Sequence, residues 1–338
     1  MATLTYEDRI GSIVFNRLDC LRNEYAKNDC TLCQEVCAHD AFGFCEGKLR
    51  LLPSCVQCGA CVGVCPTHAL RLEGATIETL VERLISSESR SFTCKDLFPC
   101  FGALNFWDWA VLVLEAKEVV CDVSHCASCK HNRENAVEKH LSKAIDEVNR
   151  LMQILGQEAR IRCEVRPNVK PAKRVWFEKL ITPKSTMPSP DSLWVFKQKM
   201  KTYLERAVWV RSEDFSFIHP KAVTITCDNC KECVRFCPTH ALSYDTTQTK
   251  ILFQTGQCIG CNICETVCAK KAIDTPEATV DIASFAFERA EVLIAHDLRV
   301  CDTCRCAFSY KGGEMICERC ASFEKEHAEM FVLVSQSR

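Results

Sequence analysis

No apolar run in the 338-residue chain approaches the ~18 residues that a membrane-spanning helix needs, so no transmembrane segment is expected. The first twenty residues, MATLTYEDRIGSIVFNRLDC, carry acidic side chains early and lack both an apolar h-region and a twin arginine. A secretory signal is therefore not expected, and a reducing, cytoplasmic location is. Charge of one sign is also missing: 42 Lys and Arg against 44 Asp and Glu leave a net charge of −2. That balance excludes a global attraction to nucleic acid or an anionic membrane. There is no GxGxxG or P-loop pattern, so nucleotide and flavin binding have no support. No nucleophile stands in a specific spacing with a base, and no catalytic residue is assigned.

What the chain has in excess is cysteine, 28 residues of it. A disulfide framework suits a short secreted domain, which this is not, and the cysteines fall in CxxC clusters rather than scattered pairs. Metal ligation is the expectation, since thiolates hold zinc and iron–sulfur clusters. Four segments align on one template: KNDCTLCQEVCAHDAF from Lys27, CVQCGACVGVCPTHAL from Cys55, CDNCKECVRFCPTHAL from Cys227 and CIGCNICETVCAKKAI from Cys258. The last three have the full C-x2-C-x2-C-x3-C run. In the first, Lys27 stands in place of the first cysteine, and the shared tail after Cys37 fixes that register.

These runs resemble the bacterial two-[4Fe–4S] ferredoxins, twice over. In that family three cysteines wrap one cluster and the fourth ligates its neighbour. The resemblance implies crossed sets in the second pair: Cys227, Cys230, Cys233 and Cys268 hold one cluster, and Cys258, Cys261, Cys264 and Cys237 the other. In the first pair it implies Cys55, Cys58, Cys61 and Cys37 for a complete cluster. The remaining set, Cys30, Cys33 and Cys65, lacks one ligand. Cys20 can return through a longer loop and is favoured. Cys45 is a second candidate. Alternatively the site stays incomplete, as a [3Fe–4S] cluster or with an oxygen ligand such as Asp29. Zinc in place of iron–sulfur clusters is the bland alternative for all four runs.

Between the pairs the pattern changes. Ile77, Leu80, Val81, Leu84 and Ile85 mark a helical stripe, residues 91–95 a short strand, 106–117 a helix, 118–123 a strand, 137–155 a long amphipathic helix and 160–165 another strand. This alternation predicts a small α/β domain with a parallel sheet. Cys94, Cys100, Cys126 and Cys129 then fall on loops after strands, where ligands gather, and could hold zinc or a [2Fe–2S] cluster, or nothing. Cys121 and Cys163 are read as core, and His125 and His131 as solvated. The region loosely resembles the delta subunit of methyl-viologen-reducing hydrogenases, an electron-transfer adaptor with a [2Fe–2S] cluster. Residues 159–184 carry eight Lys or Arg against two Glu and read as a basic linker. Leu193 to Ala207 reads as an amphipathic helix capped by Asp191 or Ser192 and packed on the second ferredoxin module. Near the C-terminus, Cys301, Cys304, Cys317 and Cys320 form two knuckles around a Gly-Gly turn. They resemble a zinc ribbon or rubredoxin-like pair, with Cys306 a spectator.

The expected fold class is α+β and multidomain: two ferredoxin-like [4Fe–4S] modules flanking a small α/β domain, with a C-terminal zinc ribbon. The expected boundaries are residues 1–74, 75–165, 166–215, 216–290 and 296–338. The leading function is a polyferredoxin relaying single electrons through about four clusters, a subunit or partner of a larger oxidoreductase such as a formate dehydrogenase, hydrogenase or heterodisulfide-reductase-like complex. The alternatives are a stand-alone reductase acting at the incomplete cluster or the middle domain, and a non-redox assembly factor.

Overall fold

The computed structural model describes residues 7–25, 27–73, 81–82, 85–86, 91–94, 100–166, 192–204 and 206–327. Most of the expected stripe at 77–85, the linker beyond residue 166 and the cap Asp191 lie outside them. The architecture mixes helix and strand in two compact units: Met1–Ser216 with Asp281–Phe287, and Phe217–Val280 with Glu288–Arg338. The segment Asp281–Phe287 thus leaves the contiguous 216–290 module and joins the first unit. No helix among the described residues is long and apolar enough to cross a membrane.

The first unit begins with an antiparallel sheet of Glu7–Ile10, Ile13–Asn16 and Leu70–Leu72, in which Ile13–Asn16 is central. Phe42–Cys45 and Lys48–Leu51 form a hairpin beside it. Ile13, Phe15, Val36, Phe42, Leu49, Leu51 and Leu70 build the core, and the cysteines of the first two runs pack against it. The second unit repeats the plan. Ala222–Val223 pairs with Ile273–Asp274, and the hairpin of Leu242–Tyr244 and Lys250–Phe253 is extended by Glu291–Ala295.

The shared tail of the four runs has a conformational reason. Asp40, His68, His240 and Lys271, each three residues after a fourth cysteine, all have φ between 48° and 54°. The turn they make drives the next residue inward, and Ala41, Ala69, Ala241 and Ala272 are each about 1–2 % exposed. A larger side chain there would displace the cysteines packed around it.

The parallel sheet is present, in the order Ser91–Thr93, Glu118–Asp122, Arg160–Glu164. The helix Phe106–Ala116 starts at a capping box, with Asn105 Oδ1 accepting from Asp108 N–H (3.0 Å) and Asp108 Oδ2 from Asn105 N–H (2.9 Å). It is apolar on most of its surface because most of it is covered, Glu115 being its exposed residue. Trp109, fully buried, lies against Phe92 and Phe101, and Phe106 and Trp107 meet Phe196 of the helix Ser192–Tyr203. The latter helix thus packs on the middle α/β domain and, of the expected 216–290 module, on the segment Ile282–Phe287: Lys197 lies over the Phe285 ring, on which Trp107 also stacks. The long helix Ala136–Ile154 is tied to the sheet through Asn149, whose amide accepts from Ile161 N–H (2.8 Å) and donates to Ile161 C=O (2.9 Å). Cys121 is core, as read, but its cross-strand neighbour Cys163 is exposed because it sits on the outer strand of the sheet.

Trp109→Ala should destabilise the first unit by about 3–5 kcal/mol, the usual cost of emptying a buried aromatic site. Urea denaturation followed by far-ultraviolet circular dichroism reads it; a loss below about 1 kcal/mol would mean that the core collapses around the gap.

Candidate metal centres

In the first unit, the thiols of the first pair of runs fall into two adjoining sets. Burial raises the Cys33 thiol above its ordinary range, and the next contributions come from Cys65, Cys20 and Cys30. Burial likewise dominates at Cys61, followed by Cys58, Cys33, Cys55 and Cys37. One set is therefore Cys20, Cys30, Cys33 and Cys65. The other is Cys37, Cys55, Cys58 and Cys61, and Cys33 reaches from the first set to the second. Cys45 is exposed on its hairpin and Lys27 is exposed on its turn.

The backbone at the first run differs from that of the complete runs. In the complete runs the loop curls through paired left-handed residues: Gln57 and Gly59 (φ 59° and 78°), Asn229 and Lys231 (61° and 72°), Gly260 and Asn262 (66° and 55°). The corresponding Asp29 is not in that region, and Thr31 has φ −123°. The first loop does not wrap. Instead Cys20 arrives on the turn before the helix Leu21–Glu24, which Asn23 pins to the hairpin. Its side chain accepts from Leu49 N–H (2.7 Å) and donates to Leu49 C=O (3.1 Å).

A shared feature marks these cysteines. Burial raises the thiols of Cys30, Cys55, Cys58, Cys227, Cys230, Cys258 and Cys261, and each is opposed by a backbone N–H two residues ahead. Cys20 has the same donor from Arg22 and another from Asn23. Amides aimed at sulfur stabilise a thiolate, not a thiol. Four desolvated thiols in one another's field ionise together only around concentrated positive charge, which is what a bound metal core supplies.

The second unit is arranged the same way. Cys233 is pushed up to about 12 by burial, then by Cys227, Cys264, Cys230 and Cys268. Cys258 is pushed up to about 11 by burial, which Gly260 N–H and Lys221 oppose and Cys261 and Cys237 reinforce. Tyr244 Oη is buried with no hydrogen-bond partner among the described residues, beside Cys233, Cys230 and Cys227. An orphaned O–H facing three thiols fits a sulfur-rich acceptor. Lys221 and Tyr244 stand outside the motif spacing, and no sequence signal marks them.

The middle cysteines also converge. Burial pushes Cys100 up to about 12; Gly102 N–H opposes it, while Cys58, Cys94 and Cys126 add to it. Cys126 reaches about 12 through burial, then Cys94, Glu138, Cys129 and Cys163. Cys100 thus faces both this group and Cys58 of the neighbouring set. The approach is close: a Cβ on Gly63 would stand 2.4 Å from Gly102 carbonyl oxygen. Arg133 clasps the same junction, donating to Cys37 C=O (3.0 Å) and to Asp40 (2.9 Å). His131, expected in solvent, is instead buried with its Nδ1 2.6 Å from His39 Nε2; His125 is half-buried.

Near the C-terminus, Cys301 ends the hairpin strand Asp297–Val300, Cys304 follows in the turn, and Cys317 caps the helix Glu318–Glu326 that carries Cys320. Their sulfurs all lie within 4.8 Å of one another, and Cys304 and Cys317 are 3.7 Å apart. A single ion with metal–sulfur bonds of about 2.3 Å puts tetrahedral thiolates about 3.8 Å apart. Among the described residues no other set of three is this tight. The other cysteine sets are wider, as ligands to different irons of one cluster must be. N–H donors from Cys304 and Cys317 lower Cys301 to about 6, whereas hydrogen bonding to Cys317 and then burial raise Cys320 to about 12. Cys306 is exposed.

The family described as a 4Fe-4S dicluster domain matches residues 226–272, and a 4Fe-4S binding domain matches residues 54–71. Two curated relatives, the archaeal-type glutamate synthases [NADPH] of Thermotoga sp. (strain RQ2) and Thermotoga maritima, are each 34% identical over 68 residues. That stretch is 20% of this chain and 13% of each relative, so the chain spans a small fraction of their length. No solved structure matches the chain. The protein carries two 4Fe–4S ferredoxin-type domains, one in each unit, and its chemistry is that of iron–sulfur electron transport.

Ion uptake by the C-terminal quartet should release protons at neutral pH, because hydrogen bonding to Cys317 and then burial raise the Cys320 thiol. Zinc affinity measured by chelator competition should therefore rise ~tenfold per pH unit for each proton released between pH 6.5 and 8. It should collapse in Cys304→Ser and stay unchanged in Cys306→Ser. A pH-independent affinity would contradict proton release on ion uptake.

Proposed function

We propose that the protein is a polyferredoxin: a cytoplasmic relay that passes single electrons through four [4Fe–4S] clusters to or from a catalytic oxidoreductase. The observation that carries this reading is the contiguity of the thiol sets in the first unit. Cys33 and Cys61 belong to different sets yet lie within each other's field, and Cys58 and Cys100 do the same at the next junction. Adjacent sets suit electron exchange and have no purpose in isolated structural sites.

In this reading Cys37, Cys55, Cys58 and Cys61 hold one cluster. Cys227, Cys230, Cys233 and Cys268 hold a second, and Cys237, Cys258, Cys261 and Cys264 a third. Cys20, Cys30, Cys33 and Cys65 hold the fourth, with Cys20 replacing the ligand lost at Lys27. The amides of Arg22 and Asn23 aimed at Cys20 support that role. A bound cluster would supply one-electron chemistry; the chain supplies the thiols, amide donors and an apolar core packed against them. Cys94, Cys100, Cys126 and Cys129 hold a further centre, zinc or [2Fe–2S]. Cys301, Cys304, Cys317 and Cys320 form a zinc ribbon. The partner is an oxidoreductase subunit; the likeness to a short stretch of glutamate synthases supports a redox setting without identifying it.

Anaerobically purified protein should contain about 16 cluster irons and one zinc, with two further irons if the middle centre is [2Fe–2S]. Cys20→Ser should remove or convert one cluster, read as a loss of one to four irons and a changed electron paramagnetic resonance spectrum. Cys45→Ser should leave both as they are. An unaltered spectrum and iron content in Cys20→Ser would reject Cys20 as a ligand.

A further inference from the structure

The two thiol sets of the second unit are alike in cysteine geometry but not in the charges around them. Lys221 is buried, its side chain 2% exposed, and it lines the same small cavity as Cys237, Cys258, Cys261 and Cys264. Its ammonium donates to Glu265 Oε1 (2.7 Å), to Asn262 Oδ1 (3.1 Å) and to Thr275. Two of these partners belong to the ligand loop and the helix that follows it, so the charge is held against the site. Burial works against the ammonium, but Glu265 and the thiols of Cys264 and Cys258 outweigh it, and its pKa is raised. It is a permanent positive charge at any physiological pH.

Glu265 does not cancel it. Lys221 acts on Cys258, Cys261 and Cys264, whereas Glu265 contributes at Cys264, and less than Lys221 does there. The carboxylate is also a third exposed and partly screened by water. On the same side the His219 ring packs on Gly260: a Cβ there would stand 2.4 Å from Nε2, and φ is +66°.

The other set has the opposite neighbour. Asp228 sits between Cys227 and Asn229, accepts from Cys230 N–H (3.2 Å), and adds negative charge at both Cys227 and Cys230. Tyr244 offers that set a neutral O–H. Lys231 lies over the Tyr244 ring, 5.5 Å from its centre, but bonds outward to Gln248 in an exposed pair. The stretch of the repeat corresponding to Lys221, Ile251 and Leu252, is apolar. Among the described residues no buried cation takes its place; the cation beside Cys227, Lys311, is exposed and donates to Thr226 C=O (3.0 Å).

We propose that Lys221 orders the reduction potentials of the second unit, so that an electron entering it resides at the site of Cys237, Cys258, Cys261 and Cys264. The inference rests on the reading of both sets as [4Fe–4S] ligands. Reduction adds one electron to a site already negative through four thiolates. A buried ammonium stabilises the reduced form there, and a carboxylate destabilises it at the neighbour. No bond breaks and no proton is taken up: the electron, supplied by a one-electron donor, moves from the Asp228 side to the Lys221 side. Lys221 is a positioning residue for charge and touches no substrate.

The test is a redox titration of the full-length protein with dithionite, followed by electron paramagnetic resonance. Lys221→Met should lower one midpoint so that the reduced-to-oxidised ratio of that site, at fixed potential, falls at least tenfold, about 59 mV for a one-electron couple. Lys221→Arg should restore it. Asp228→Asn should raise a different midpoint, and one that lies lower in the unaltered protein. Unmoved midpoints in Lys221→Met, or a moved midpoint below the one that Asp228→Asn shifts, would overturn the proposal. If Lys221→Met does not retain its iron, Glu265→Gln decides: removing the opposing charge should raise the upper midpoint, and an unchanged value rejects the ordering. Iron analysis of the unaltered protein separates the two failures. A second unit without two reducible clusters rejects the ligand reading and the ordering with it, whereas full loading with unmoved midpoints rejects the ordering alone.

Discussion

Buried thiolates repel one another, and every metal-site feature of this chain answers that repulsion. Each of the sets described places several sulfurs in a space with little water, where burial alone would keep them protonated. The protein counters with amide donors two residues ahead of the ligand and, in one place, with a buried ammonium. The rest of the compensating charge has to be metal. Folding and metal loading are then one process, because the packed alanines and the left-handed turns bring together sulfurs that would otherwise push the turns apart.

The same constraint accounts for the repetition. A short run of cysteines can wrap a cluster only if its loop curls, and curling needs left-handed residues at fixed positions: Gln57 and Gly59, Asn229 and Lys231, Gly260 and Asn262. Where the curl is missing, at Asp29 and Thr31, a cysteine from outside the run comes into reach. Losing the first cysteine and losing the curl are therefore two faces of one change. The set is still four thiols, but one is carried by a helix start that Asn23 locks to the hairpin.

Much of this is legible in the residues. Cysteine spacing and the tail after each run identify the ligand loops and their register, and alternation of apolar segments identifies the parallel sheet and its helices. Local sequence does not report what depends on distant partners. His131 looks like a solvated loop residue until His39 is seen beside it, 92 positions away in the chain. Cys163 shares a strand face with buried Ile161 yet is exposed, on the outer strand of the sheet. The helix Ser192–Tyr203 shows an apolar face without showing which surfaces cover it, and Trp107 together with the segment holding Phe285 does so. Lys221 is silent for the same reason: a lone lysine six residues before a motif carries no spacing rule, and its meaning comes from burial.

One detail of connectivity bears on how the protein is made. Phe285 stacks on Trp107, Ile282 N–H donates to Val208 C=O (2.9 Å), and Asp281 accepts from Val208 N–H (3.1 Å). The ribosome must therefore synthesise nearly the whole second ferredoxin module before the first unit receives its last piece. The unit that begins first is completed late. Until residues 281–287 exist, the face of Trp107 that stacks on Phe285 has no cover from that segment.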